Sequence, residues 1–244
     1  MRCVGLVGAS GRMGRRIRHL LEVLEHVELL RCFGRNDRLD FSGLDVVIDF
    51  SLPEATSAVV EALQGTRAAL VSGVTGHRQE QLNDLHTLSG TNAVLVAANF
   101  SLGVHVLAHL VSEASKRLDE DFHIEITEQH HARKRDLPSG TALFLGEAAA
   151  SGRGRSWPEV YVDRSCGTPR DRDDEIGISG LRGGVVIGTH SVHFLGQQEV
   201  LELTHTATDR DVFAMGAVKT ASWIVEQPPG TYTMSDFIRS YVRK

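Results

Sequence analysis

The feature that most limits what this chain can fold into is a short apolar segment that runs straight into three glycines spaced three apart. Arg2 to Val7 has the character of a buried strand, and Gly8-Ala9-Ser10-Gly11-Arg12-Met13-Gly14 follows without a break. An amphipathic helical pattern then continues to about Glu25. Glycines at this spacing allow a tight turn, close backbone approach to a pyrophosphate and close packing of helix on sheet. The pyrophosphate itself rests on the N–H groups of the helix start. A glycine pattern alone is weak, and its bland reading is a turn that packs a helix tightly. The strand before it and the helix after it favour a dinucleotide site, with Gly8, Ser10, Gly11, Arg12, Met13 and Gly14 as its first candidate residues.

A second strand, Val27 to Phe33, ends in Gly34-Arg35-Asn36-Asp37. Sites for NAD place an acid about 20 residues after the glycines to bind the ribose hydroxyls, whereas a nearby arginine accommodates a 2′-phosphate. Gly34 stands at that spacing from Gly14, Arg35 follows it, and Asp37 comes three positions late. NADPH is therefore the preferred cofactor, with Arg35 on the phosphate, Arg38 as its helper, and NADH as a second possibility. The bland reading of Arg35 is a surface turn residue.

Buried strands follow at Asp45 to Ser51, Ala68 to Ser72 and Ala93 to Ala97, separated by helical stretches from Pro53 to Gln64 and from about Arg78 to Leu88. Strands alternating with helices imply right-handed βαβ units, so the fold class is α/β with a Rossmann-like doubly wound parallel sheet. Ligands of such sheets collect at the carboxyl ends of the strands. Phe50, Ser51, Gly73, Thr75, Ala98, Asn99 and Phe100 fall there and outline a cofactor cleft, although each by itself could be a turn residue.

After a helix from about Ser101 to Leu118 the pattern changes. Phe122 to Glu128 alternates apolar and polar residues, and strand-like segments near Val160, from Ile176 to Leu181, from Val185 to Phe194 and from Glu199 to Thr206 have no helices between them. They predict a second α+β domain with a mixed, largely open sheet. The charged stretch Arg164 to Glu175 is expected to be a solvated loop. Helical periodicity returns from Asp209 to about Val225, Pro228-Pro229-Gly230 breaks it, and Met234 to Val242 makes a last helix. The expected division is residues 1–101 with 211–244 for the nucleotide, and 102–210 for substrate binding and oligomerisation.

The segment Glu128 to Thr141 of this second domain gathers the most chemistry. It combines two adjacent imidazoles, an Arg-Lys-Arg run and Pro138-Ser139-Gly140-Thr141 ahead of a helical run from Ala142 to Ala149. Histidine delivers protons near neutrality, lysine supplies a compact positive charge, and a helix start capped by Ser139 or Thr141 favours a carboxylate. The set suits a small dianionic substrate. Its bland reading is a solvated basic patch.

Composition excludes other classes. The 31 acidic residues outnumber the 26 basic ones, for a net charge of -5, which does not suit a phosphate-tracking nucleic-acid surface. Cys3, Cys32 and Cys166 are widely spaced and odd in number, which fits reduced structural thiols in a cytoplasmic protein. No leader pattern opens the chain, and no apolar run approaches the roughly 18 residues of a membrane span. The 12 histidines lack metal-ligand spacing, so no metal is expected.

These motifs, in this order, resemble the 4-hydroxy-tetrahydrodipicolinate reductase family. The resemblance rests on Gly8 to Gly14, Asp49-Phe50-Ser51, Gly73 to Gly76, Ala97 to Gly103, Glu128 to Thr141, Gly188 to Phe194 and Leu203 to Gly216. It implies NAD(P)H-dependent reduction of a cyclic unsaturated dicarboxylate in the diaminopimelate route to lysine, by a homotetramer whose second domain makes the assembly. By motif matching it implies His130 as general acid/base and Lys134 as the second essential group. His131, Ser139, Gly140, Thr141 and Arg210 would then hold the substrate carboxylates. Hinges near Ser101 and Arg210 would close the cleft. Three departures stand out: Gly34 replaces the family's acid, the stretches before Asp45 and after Ala149 are short, and Thr189 replaces an acid ahead of a histidine. The alternatives are an imino-acid reductase of the same architecture, which has no need of Lys134 and the Ser-Gly-Thr cradle, and a non-catalytic NADPH sensor, which has no need of proton donors.

Overall fold

The computed structural model describes residues 1–164 and 175–241. The chain divides into two compact units, Met1–Leu102 with Asp211–Lys244, and Gly103–Arg210.

The first unit is built on six parallel strands: β1 (Arg2–Val7), β2 (Val27–Phe33), β3 (Val46–Asp49), β4 (Ala69–Ser72), β5 (Ala93–Val96) and β11 (Gly230–Tyr232). Their order across the sheet is β11-β5-β4-β3-β1-β2. The short apolar runs are strands because both faces are buried. Val46, Ile48, Val71 and Leu95 meet helices α1 (Arg12–Val23), α7 (Asp211–Ile224) and α8 (Met234–Tyr241) through Ile17, Leu21, Ala217 and Phe237. The alternate residues Val47, Leu70 and Val94 meet α2 (Thr56–Leu63) and α3 (Gln79–Leu88) through Val60, Leu63 and Leu85. Each such side chain stabilises the fold by about 1.5–3 kcal/mol relative to exposure. Because β1 lies between β2 and β3, the chain reverses direction at β1, where sheets of this kind open a crevice for ligands.

The second unit carries a five-stranded mixed sheet: β6 (His123–His130), β7 (Tyr161–Asp163), β8 (Ile176–Arg182), β9 (Gly188–Leu195) and β10 (Val200–Ala207), in the order β10-β9-β6-β8-β7. β9 is antiparallel to β6 and β10, whereas β6, β8 and β7 run parallel. Ile124, Ile126, Ile178, Val192 and Phe194 form one apolar face. Helices α4 (Leu102–Arg117) and α5 (Gly140–Gly152) cover it with Leu107, Val111, Leu145 and Ala149. The short helix α6 (Trp157–Val160) leads into β7, so the strand expected at Val160 begins one residue later.

Three expectations need correction. β6, expected over Phe122 to Glu128, continues through His130, which pairs with Arg182 of β8, so His130 belongs to the strand and not to the loop after it. The break at Pro228-Pro229-Gly230 contains β11, a three-residue edge strand parallel to β5. Cys32 is exposed and Cys3 half-buried, both as free thiols, so neither is a core residue. Cys166, most of the charged loop and Val242 lie outside the described residues.

Candidate functional site

The turn after β1 is shaped for close approach. Gly8 has φ +77°, a left-handed conformation, and a Cβ there would lie 2.6 Å from the Phe50 carbonyl oxygen. A Cβ on Gly14 would lie 2.1 Å from the Gly8 carbonyl, so α1 rests directly on the turn. Gly11 is the extended N-cap of α1, and the first helical turn holds no acid. That combination offers backbone N–H groups and the positive helix end to a pyrophosphate. Arg12 and Ser10 are exposed beside it, and Met13 is half-buried.

At the neighbouring strand ends, the Phe50 ring fills the space that a side chain at position 73 would need, 2.3 Å from an added Cβ. Phe50 also packs on Phe100 with ring centroids 5.5 Å apart. The Ser51 N–H donates to Asp49 Oδ1 at 2.9 Å, while its hydroxyl is buried without a partner among the described residues. Asn99 Oδ1 accepts from the Ser101 N–H at 2.8 Å, and Thr75 and Ala98 are exposed. After β2, Asp37 Oδ2 accepts from the Gly34 N–H at 2.7 Å. This late acid is occupied in closing the turn, and Arg35 beside it is exposed.

In the second unit, the alternation that buries Ile124 and Ile126 continues through Glu128 and His130 on the same face of β6. Glu128 lies opposite Gly180 of β8 and His190 of β9, and His130 lies opposite Arg182. The Glu128 side chain is fully buried. Its Oε1 accepts from Arg182 Nη2 at 2.7 Å and from the Ser139 N–H at 3.0 Å. Its Oε2 faces His130 Nδ1 at 3.3 Å and His190 Nε2 at 3.6 Å, charge contacts without hydrogen-bond alignment. Burial pushes the carboxyl up, but the opposing pull of His130, His190, Ser139 and Arg182 prevails and holds it far below the usual carboxylate range. Burial lowers His190, which is therefore neutral at pH 7. The donor atoms of Glu128, His130 and His190 lie within 4.8 Å of one another, a convergence that the linear spacing of the histidines does not reveal. Arg182 already balances the charge of this carboxylate.

The loop after β6 folds back on the same cluster. Lys134 Nζ donates to Asp136 Oδ2 at 2.6 Å, and Arg182 Nη2 also reaches the Asp136 carbonyl at 2.6 Å. Arg210 Nη2 lies 3.0 Å from His131 Nε2. Arginine can only donate, so this nitrogen of His131 accepts and the ring is neutral. Burial, then Arg210, Arg133 and other nearby cations, lower His131 accordingly. Ser139, and not Thr141, caps α5, its Oγ accepting from the Ala142 N–H at 3.2 Å and lying 3.1 Å from His190 Nε2. The helix starts at Gly140, two residues before the expected Ala142, and a Cβ on Gly140 would meet nothing within 4 Å. Thr141 is half-buried in this first turn.

The candidate residues thus form two groups. The nucleotide set from Gly8 to Phe100 lies in the first unit, and His130, His131, Lys134, Ser139, Gly140, Thr141 and Arg210 lie in the second. Glu128, Arg182 and His190 were not singled out from sequence. For Glu128 a signal existed, because it sits at the inward register of an alternating strand. Arg182 and His190 reach the cluster through strand pairing over more than 50 residues, which no local pattern encodes.

A doubly wound parallel sheet with a glycine turn shaped for pyrophosphate, in a chain that also carries buried imidazoles beside a capped helix start, defines a pyridine-nucleotide-dependent oxidoreductase. Residues 2–100 match the family model for the dihydrodipicolinate reductase N-terminus, and residues 103–238 match that for the C-terminus. The chain belongs to the dihydrodipicolinate reductase family. The 4-hydroxy-tetrahydrodipicolinate reductase of Nitratiruptor sp. is 43% identical over 249 residues, covering 96% of this chain and 97% of that protein. The Sulfurimonas denitrificans protein of the same name is 43% identical over 250 residues, with the same coverage of each chain. The structure of a dipicolinate-bound dihydrodipicolinate reductase from Paenisporosarcina sp. superposes with a TM-score of 0.78 at 23% identity, covering 96% of this chain and 97% of that one.

Proposed function

We propose that this chain uses NADPH to reduce 4-hydroxy-tetrahydrodipicolinate to tetrahydrodipicolinate in the diaminopimelate route to lysine. The observation that carries the reading is the convergence, within the second unit, of His130, the Lys134 loop and the Ser139-capped start of α5 on the Glu128 carboxylate. That set offers a proton and positive charge to a small dicarboxylate. Family membership does not favour the imino-acid reductase or the sensor.

A bound nicotinamide supplies the hydride, and the protein orients the reactants and provides the proton. His130 turns Nδ1 toward Glu128, which leaves Nε2 as the nitrogen that delivers the proton. Lys134, now paired with Asp136, exchanges that partner for a substrate carboxylate. The first turn of α5, at Ser139, Gly140 and Thr141, holds the second carboxylate, assisted by neutral His131 and by Arg210. His131 therefore acts as an acceptor and orienter of Arg210 more than as an acid.

The preference for NADPH rests on the turn after β2. Gly34 replaces the ribose-binding acid, Asp37 is occupied by the Gly34 N–H, and exposed Arg35 pairs with no acid among the described residues. The active form is proposed to be a cytoplasmic homotetramer assembled through the second unit. The test is the loss of absorbance of NADPH and of NADH, measured separately, with substrate generated in the cuvette by the preceding synthase. Faster use of NADPH, narrowed by Arg35→Ala, is expected. Binding of NADPH without consumption of either cofactor contradicts the reading.

A further inference from the structure

We propose that Glu128 is a positioning residue for this reaction, and that its carboxylate holds the proton-donating imidazole of His130 in register with the substrate-binding start of α5. This inference rests on the activity proposed above. The two carboxylate oxygens divide the task. Arg182 and the Ser139 N–H fix Oε1, at 2.7 and 3.0 Å, and this sets the direction in which Oε2 is presented. Oε2 then faces Nδ1 of His130 and Nε2 of His190. The Oε2 charge 3.3 Å from Nδ1 favours a proton on that nitrogen, which leaves Nε2 for the reacting atom. The same carboxylate carries the N-cap residue of the helix that binds the substrate. His190 closes the circle by contacting both Oε2 and the Ser139 hydroxyl.

The surrounding strands give up side chains at the points where this cluster sits. A Cβ on Gly180 would lie 3.1 Å from Glu128 Oε1 and 3.3 Å from Arg182 Nη1, besides meeting Leu137. A Cβ on Gly188 would lie 3.0 Å from His130 Nε2. Folding alone requires only an apolar residue at position 128, since Ile124 and Ile126 precede it on the same buried face. A carboxylate with a dedicated arginine answers a need for charge and direction.

The charged and titratable groups around Glu128 are His130 on β6, Arg182 on β8, His190 on β9 and, in the loop after β6, Lys134. His205 on β10 lies near His190 and is lowered by burial, then by the charge of His190.

The test compares wild type, Glu128→Gln and Glu128→Asp for kcat, KM for substrate, NADPH affinity and thermal midpoint. Glu128→Gln is expected to lose at least tenfold in kcat with NADPH affinity unchanged. Glu128→Asp keeps the charge with a shorter reach, so its kcat should fall only several-fold, well above that of Glu128→Gln. Equal loss of kcat in the two variants makes the role merely structural and overturns the inference, as does retention of wild-type kcat in Glu128→Gln. If Glu128→Gln does not fold, wild-type kcat in Glu128→Asp overturns it equally. A wild type that consumes no NADPH marks failure of the proposed activity instead.

Discussion

At the scale of single residues, the proposed site depends on which charges are paired before substrate arrives. Lys134 is held by Asp136, an acid that is itself pulled below the ordinary carboxylate range chiefly by that lysine. The pair is half exposed, so its strength is about 0–1 kcal/mol. Asp136→Asn should therefore lower KM for the dicarboxylate by up to about fivefold with little change in kcat, as steady-state kinetics would show. A raised KM would mean that Asp136 aims the lysine. Legibility at this scale followed chemistry with a local signature. The histidine pair, the lysine and the Ser-Gly-Thr turn are contiguous and could be read directly, whereas Arg182 and His190 depend on strand pairing. Glu128 was present in the segment, but its charge disguised an inward strand position.

At the scale of elements, burial on two faces made the first unit easy to read. β1 and β2 have the bounds expected from sequence, β1 because its last four residues are buried up to Gly8, and β2 because Val27 and Phe33 are buried at its two ends, ahead of Gly34. β11 was missed because its three residues follow two prolines and owe their extended form to pairing with β5. The start of α5 was placed late because glycine and threonine are poor helix formers, and the Ser139 cap overrides that tendency. Ser139→Ala removes this cap and should destabilise the second unit by about 1 kcal/mol in urea unfolding, while raising KM for substrate. No change in either would detach Ser139 from both roles. Acid should loosen the sheet of the same unit. His190 is held neutral by burial below its ordinary 6.5, so the unfolded chain takes up protons first and stability falls as pH drops below about 6.5. Glu128, whose folded value is depressed, adds a further loss below its ordinary 4.5. Urea midpoints measured between pH 7.5 and 5.5 should decline, and His190→Gln should flatten the decline. A flat wild-type profile would contradict the burial of a neutral His190.

At the scale of the whole molecule, the proposed function divides two chemical tasks between units of different construction. One is a parallel sheet covered on both faces, with its glycine turn at the point where strand order reverses. The other is a mixed sheet that buries imidazoles and a carboxylate on the face covered by α5. Edge strand β10 leaves Val200 and Leu201 exposed at 59% and 39%. In the proposed tetramer a second copy covers this edge, so Val200→Asp with Leu201→Asp should reduce the mass seen by light scattering. An unchanged mass would place the assembly surface elsewhere. The central claim is that His130 delivers the proton in an NADPH-dependent reduction, and its most direct test is kcat and NADPH affinity of His130→Gln beside wild type. A fall of about 10²–10⁴-fold in kcat with unchanged NADPH affinity is expected. A rate within a few-fold of wild type would contradict the assignment.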